Sequence, residues 1–421
     1  MEIMGLPKPV FCGVDRSEDH HDVALVDAGG NQLAKQRISD DAAGFAQLTA
    51  LLVEHGDRAD APIPVAIETS RGLLVSCLQV TGRPVFAINP LAVARYRHSV
   101  ARKKSDAVDA AALANIPRTD MAAHRPLPTD SELVQAIAVL ARAQQDAVWD
   151  RGQAHNRLRS QLREFYPAIL EAFAQHKHGL CSREARTILA AAPTPTAAAR
   201  LTRRRLQALL KQAGRVHGIH AEADRNHEVF QRDYLHQLPQ VEAALGQQTS
   251  ALLRQLNTAC QNADQLEEAT AQAFEEHPDA PVIRSFPGLG SLTGARVLAE
   301  IGDDRTRFAN ASSLKAYAGS APVTRASGKS CVVMSRKVKN QRLAAVGYVW
   351  AFVSHTRSPG AGARAHYDRR REAGDRHVAA QRNLFNRFMG MLFHCLQHGQ
   401  LYDETKAFPI QPLKDPSTAA A

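Results

Sequence analysis

Two short apolar runs early in the chain each end on a carboxylate, VFCGVD at Asp15 and PVAIE at Glu68. This repeated pattern constrains the fold more than any other feature. A short run of β-branched and small apolar residues reads as a strand with little exposed surface. An acid at the end of such a strand is held on a rigid support, as a ligand must be. The surrounding texture alternates. Residues 10–14, 22–27 and 32–38 read as three strands, with the Gly29-Gly30-Asn31 turn before the last. Residues 42–54 carry Phe45, Leu48, Leu51 and Leu52 at helical spacing. Residues 65–68 read as a fourth strand, 72–80 as a helix and 85–88 as a fifth strand.

Three strands, a helix, then strand, helix, strand is the order of a ribonuclease H-like sheet. An α/β domain of that class is therefore expected over residues 1–130. Downstream, KKSDAVDAAALA places Asp106 and Asp109 three residues apart on a helical pattern, which puts both carboxylates on one face. Like charges so placed repel unless a cation lies between them, and a hard, oxygen-seeking ion such as Mg²⁺ suits them. Asp15, Glu68, Asp106 and Asp109 together would suit two ions of Mg²⁺ or Mn²⁺ about 3.5–4 Å apart, stabilising the attacking and leaving oxygens of a phosphodiester displacement. Arg102, Lys103 and Lys104, just before the pair, are placed to hold a phosphate backbone. Taken singly, each acid is more often a cap, a turn residue or a solvated charge; their ordered combination carries the reading.

From about residue 131 the pattern becomes helical. Residues 131–165 carry Leu133, Ile137, Leu140, Val148, Leu158 and Leu162, and a second long helix is expected over residues 240–276. There Leu245, Leu252, Ala259, Leu266 and Ala273 recur every seven residues, while Gln248, Gln255 and Asn262 occupy the intervening positions. The pair reads either as a coiled coil joining subunits or as two helices packed within one. Pro278 and Pro281 close this region, a mainly α C-terminal domain is expected over 281–403, and residues 404–421 read as a disordered tail.

Charge singles out the C-terminal domain. The chain carries a formal +10, yet residues 281–421 hold 21 Lys and Arg against 9 Asp and Glu. An excess so concentrated suits a polyanion. FPGLGSLTGARVLAEIG reads as a helix–hairpin–helix in which Gly288 and Gly290 let backbone N–H groups meet a phosphate. A tight turn between packed helices is the plainer reading of the same residues. The stretch 320–339, SAPVTRASGKSCVVMSRKVK, reads as a basic loop.

These motifs together resemble the transposases of the IS110 type, which carry a RuvC-like DEDD metal-binding domain followed by a C-terminal transposase domain. The matching residues are GVD at Asp15, AIETS at Glu68, KKSDAVDA at Asp106 and Asp109, FPGLGSLTGARVLAEIGD, Arg307-Phe308, LKAYAGSAPVTRASGKS, and the run from SRKVKNQRLAAV to LFHCLQHGQLYD. Glu18 stands where the family often has lysine, and Gly319-Ser320-Ala321-Pro322 replaces the commoner Gly-Leu-x-Pro. The resemblance implies a DNA recombinase that binds donor and target DNA, directed by a noncoding RNA from the element, in a bacterial cytoplasm near the nucleoid. It implies that Ser327 attacks DNA, with Arg325, Gly328, Lys329, Arg336 and Lys337 around the phosphate. The residues themselves do not separate Ser327 from Ser320, Ser330 or Ser335. A homodimer or tetramer is also expected.

Two other readings compete: a Holliday-junction resolvase-like nuclease using water, and a DNA-binding protein with a decayed nuclease fold. Several classes drop out. There is no GxxxxGK[ST] phosphate loop, GxSxG or HExxH motif, and the six cysteines form no CxxC pair. No apolar run is long enough to span a bilayer, no secretory signal is legible, and a reducing cytoplasm is expected.

Overall fold

The computed structural model describes residues 9–100, 105–328, 330–357 and 361–409. It divides between Thr129 and Asp130 into two compact units.

The first unit is built on a five-stranded sheet: β1 (Phe11–Arg16), β2 (His20–Val26), β3 (Gln32–Ser39), β4 (Val65–Ile67) and β5 (Val85–Ala87). The strand order is β3-β2-β1-β4-β5. The meander β1–β2–β3 is antiparallel, while β4 and β5 run parallel to β1. Helices α1 (Ala42–Glu54) and α2 (Leu73–Val80) bury Leu48, Leu52, Leu74 and Leu78 in one core with Cys12, Val14, Val23 and Ile67. Helix α3 (Pro90–Val100) and helix α4 (Asp106–Asp120) belong to a second core, in which Val93, Leu113 and Ile116 meet Ala66 and Phe86. This mixed sheet is the arrangement expected from the strand order in the sequence.

Strand alternation decides which residues face α4. Successive side chains point to opposite faces of a sheet. Cys12 and Val14 lie in the α1/α2 core, whereas Phe11 packs with Val26 and Ala114 of α4. Gly13 is therefore on the α4 side, and an added β-carbon there would overlap the Ala110 carbonyl oxygen and the Ala114 amide nitrogen. The small residues Ala110 and Ala114 complete the close approach, both fully buried.

The second unit is mainly helical. Helix α5 (Glu132–Phe165) starts at Ser131, whose hydroxyl accepts from the Val134 amide. It runs antiparallel to the long helix Pro239–Glu275, so that Arg151 pairs with Asp264 and the Thr249 hydroxyl donates to Gln161 at 3.0 Å. The two helices expected to meet thus pack within one chain. The face that the second helix buries lies one position from the expected repeat: Gly246, Thr249, Leu253, Leu256, Cys260, Ala263, Thr270 and Phe274 are buried, while Leu245, Leu252, Ala259 and Leu266 are only partly so. Small and hydroxylated residues share that face with Leu253, Leu256 and Phe274: Thr249 meets Gln161 of α5 and Gly246 lies against Thr194, so the Leu repeat marks only the edge of the face.

One core crosses the boundary expected at residue 280. Val134, Ile137 and Phe274 from the long helices pack with Ile283, Phe286, Leu298, Trp350, Phe385 and Phe388. Trp350 stacks on Phe388 with ring centroids 5.0 Å apart and donates to the Pro287 carbonyl at 2.9 Å. The same core corrects the expected tail: Glu404–Ala407 is helical, and Ala407 and Phe408 are buried. The remainder of that tail, residues 410–421, lies outside the described residues. Residues 320–339, read as a loop, contain a hairpin of β6 (Val323–Ser327) and β7 (Ser330–Met334), with Ser327 opposite Ser330. β-Branched residues in both runs and Gly328 at φ +56° beyond Ser327 make that geometry accessible.

Candidate active site

Asp15, Asp22 and Glu68 reach one side of the sheet for one reason. Asp15 lies two residues beyond Gly13, Glu68 two beyond Ala66, and Asp22 is the cross-strand partner of Asp15. All three therefore share the face on which α4 packs. Asp106 and Asp109 occupy the first turn of α4, where unpaired backbone N–H groups and the helix dipole favour negative charge. Burial, and then the charges of Glu68, Asp109, Asp106 and Asp22, push the Asp15 carboxyl from 3.8 up to about 6. The other three acids expected from the sequence therefore act on Asp15, and Asp22 is a fourth.

Asp22 is 4% exposed and takes the Arg37 guanidinium at 2.8 Å. His20 Nε2 stands 3.8 Å from its carboxylate. One donor atom each from His20, Asp22 and Asp106 lies within 4.8 Å of the others, a set with the ligand chemistry to hold a cation. Asp109, also largely buried, is engaged differently: Arg97 of α3 donates to it at 2.5 Å. Asp22 and Arg97 escaped the sequence reading. Asp22 stood at the start of a strand pattern with only its cross-strand position to mark it, and no local signal marks Arg97. Arg102, Lys103 and Lys104 lie outside the described residues.

In the second unit Ser327, Gly328 and Arg325 are exposed on the hairpin, and a β-carbon on Gly328 would meet nothing. Lys329 lies outside the described residues. Ser330, Ser335 and Lys337 are also exposed, and Arg336 is half-buried. Ser320 differs from the other serines, being 2% exposed with its hydroxyl engaged by the Lys315 carbonyl at 3.2 Å and by Asn386 at 3.1 Å. Its hydroxyl is thus already engaged within the fold.

The glycines of the Phe286–Gly290 turn also divide. Gly288, at φ +81°, lies against the helix Gln341–Thr356, where a β-carbon would stand 3.1 Å from the Ser354 amide nitrogen. Packing accounts for it. Gly290 has open space above it, but Ser291, which follows, gives its hydroxyl to Glu275. That carboxylate at the start of the helix Ser291–Ile301 opposes an incoming phosphate.

Residues 12–167 match a transposase family of the DEDD type named for IS110, and residues 280–368 match the transposase family IS116/IS110/IS902. The chain is 60% identical to the mini-circle protein of Streptomyces coelicolor assigned as transposase for IS117, over 95% of this chain and 96% of that one. The chain belongs to the IS110 family of transposases. More distant relatives of this transposase include a 42 kDa protein of the insertion element IS900 from Mycobacterium paratuberculosis, 28% identical over 94% of this chain and 98% of that one. A 43.6 kDa protein of IS110 from Streptomyces coelicolor is 27% identical over 94% and 95% of the two chains. The transposase is thus an enzyme that cuts and rejoins DNA, and its DEDD-type domain uses divalent metal. Among the described residues no helix is long and apolar enough to cross a membrane.

Proposed function

We propose that this transposase cuts DNA by attack of the Ser327 hydroxyl on a phosphodiester, leaving a serine–DNA ester that a second strand's hydroxyl later resolves. In the first step the serine oxygen bonds to phosphorus, the bridging P–O bond breaks and the departing strand takes a proton; rejoining runs the exchange in reverse. The number of phosphodiester bonds is conserved, so no external energy source is required. A serine hydroxyl is a weak nucleophile and needs activation.

The observation that carries the metal half is the placement of Glu68, Asp109, Asp106 and Asp22 about Asp15, whose carboxyl is pushed up to about 6 first by burial and then by those charges. Asp15, Glu68, Asp106 and Asp109 would hold Mg²⁺ or Mn²⁺, with Asp22 and His20 adjoining; a bound dication supplies charge neutralisation at the phosphate and a lowered pKa for an attacking hydroxyl. The chain's own groups prepare the site. Arg97 pairs with Asp109 and Arg37 with Asp22, and the sheet holds Asp15 and Glu68 at set positions.

Exposure favours Ser327 over Ser320 as the nucleophile, and Gly328 beside it leaves room for a phosphate. Arg325, Lys337 and Arg336, with Lys329, would neutralise the strand. An element-encoded guide RNA and a dimeric or tetrameric assembly complete the reading. The RNA rests on family resemblance and on the basic last third of the chain. The assembly is supported by the hairpin, whose Val332 and Val333 are exposed on a two-stranded element that is marginal without a partner.

The deciding experiment incubates Ser327→Ala with labelled element DNA and Mg²⁺. The expected result is loss of both cleavage and the denaturation-resistant protein–DNA adduct, with DNA binding retained. Cleavage that survives in the variant would show water to be the nucleophile. RNA extracted from the purified wild-type protein and sequenced tests the guide: transcripts from the DNA flanking the gene are expected, and absence of enriched RNA counts against it.

A further inference from the structure

We propose that a cleft in the helical part of the second unit binds phosphates of a nucleic-acid backbone through Arg183, Arg186 and Arg205. It lies between the helices Arg183–Ala191, Arg203–Gln212 and Pro239–Glu275, and its volume is about 600 Å³. These residues fall between the two stretches matched by the family, 12–167 and 280–368. The inference rests on the DNA-rejoining, RNA-directed reading above, since it supplies that enzyme with a further nucleic-acid contact.

The lining says what the cleft can hold. Besides the three arginines it presents Gln212, Asn257 and Gln261, with Ala190, Ala191, Leu209 and Ala213 as apolar lining and no aromatic ring. Pockets for small organic ligands are mostly apolar and often aromatic, so a free nucleoside would find nothing here to stack on. Guanidinium groups and amides instead match the oxygens of a phosphate, which Arg grips with paired N–H groups.

The arginines are not equivalent. Arg183 and Arg186 stand three apart on one helix and so share a face. Arg186 is held in place: its Nη1 donates to Asn257 at 2.9 Å and its Nε to the Cys181 carbonyl at 3.2 Å. Arg183 and Arg205 are exposed, and neither forms an ion pair among the described residues. The lining carboxylate, Asp264, faces Arg151 at 3.6 Å and leaves those two charges uncompensated. Two free guanidiniums beside a tethered third, on rigid helices around an open cleft, make a site for a strand that passes through.

The test uses full-length protein, a labelled DNA duplex and a labelled single-stranded RNA, each titrated at several salt concentrations. The double variant Arg183→Gln/Arg205→Gln removes two exposed charges, so the fold is retained and checked by circular dichroism. Loss of two phosphate contacts lowers the log–log salt slope by about 1.8 for duplex DNA or about 1.4 for single strands. Affinity for the polymer that occupies the cleft falls roughly tenfold, and the arm that responds identifies it. Arg157→Gln/Arg159→Gln removes equal charge from exposed positions of α5 and is expected to change the slope far less. An unchanged slope on both polymers overturns the assignment, as does an equal drop in the α5 pair. If wild-type protein binds neither polymer, the broader DNA-and-RNA reading fails with it; if wild type binds and the double variant matches it, the cleft alone is refuted.

Discussion

Gly13 of β1 lies directly beneath the Ala110 carbonyl of α4, with no room for a β-carbon between them. That approach sets the height of α4 above the sheet, and with it the position of Asp106 and Asp109 over Asp15. Gly13→Ala is expected to push the helix outward. Overpacking of this kind costs about 1–3 kcal/mol of stability, and a shift of about 1 Å in the acids lowers strand cleavage about 100-fold. Urea denaturation and a cleavage assay measure the two effects; full activity in the variant would show that α4 does not set the site.

The raised Asp15 carboxyl makes metal-free stability depend on pH. A carboxyl with a folded-state pKa above its unfolded value binds more protons when folded. Its stabilising contribution is present below about pH 4 and is lost as pH rises through about 6. In EDTA the thermal midpoint of wild-type protein is expected to fall across that window, and Asp15→Asn to flatten the fall. Added Mg²⁺ should protect wild type increasingly above pH 6, because the ligand must be deprotonated. Equal pH profiles for wild type and Asp15→Asn in EDTA would contradict the burial and crowding of charge at this residue.

Arg97 neutralises Asp109 from the neighbouring helix, and neither side chain is more than 17% exposed. Arg97→Ala leaves a largely buried carboxylate without this partner, at a cost of roughly 2–3 kcal/mol in EDTA, a little below that of a fully buried pair. Mg²⁺ is expected to restore part of the loss, so the metal-induced rise in thermal midpoint should be larger in the variant than in wild type. A smaller rise would mean that Arg97 assists metal binding rather than competing with it.

Glu300 ties three helices of the second unit. It is 4% exposed and accepts from Arg142 at 2.8 Å and from Asn340 at 2.6 Å. Arg142→Ala strands that charge and should cost about 3 kcal/mol in urea denaturation. Arg142→Ala combined with Glu300→Leu is expected to recover much of it, because the uncompensated carboxylate goes with its partner.

Much of the first unit was legible because its signals are local. Strand alternation, the Gly29-Gly30-Asn31 turn and the amphipathic α1 are written within a few residues of each other, and the observed strands fall within two residues of the expected ones. The long helices were equally plain, but their contact face was not. Leu245 and Leu252 carry the stronger hydrophobic signal, yet Gly246, against Thr194, and Thr249, against Gln161 of α5, are the buried positions. Periodicity reports where apolar residues recur, whereas packing also selects for size.

The sequence by itself determined that Asp15, Glu68, Asp106 and Asp109 would stand at strand ends and on one helical face, because each placement follows from a local repeat. Only the tertiary structure decided what surrounds them. Asp22 joins by cross-strand register, Arg97 by the packing of α3 on α4, and Gly13 matters because a helix some ninety-seven residues away lies against it. The same holds for the serines: Ser320 and Ser327 look alike in the chain, but burial engages one hydroxyl and leaves the other exposed on a hairpin. Such facts depend on pairs of residues distant in sequence, and no local periodicity encodes them.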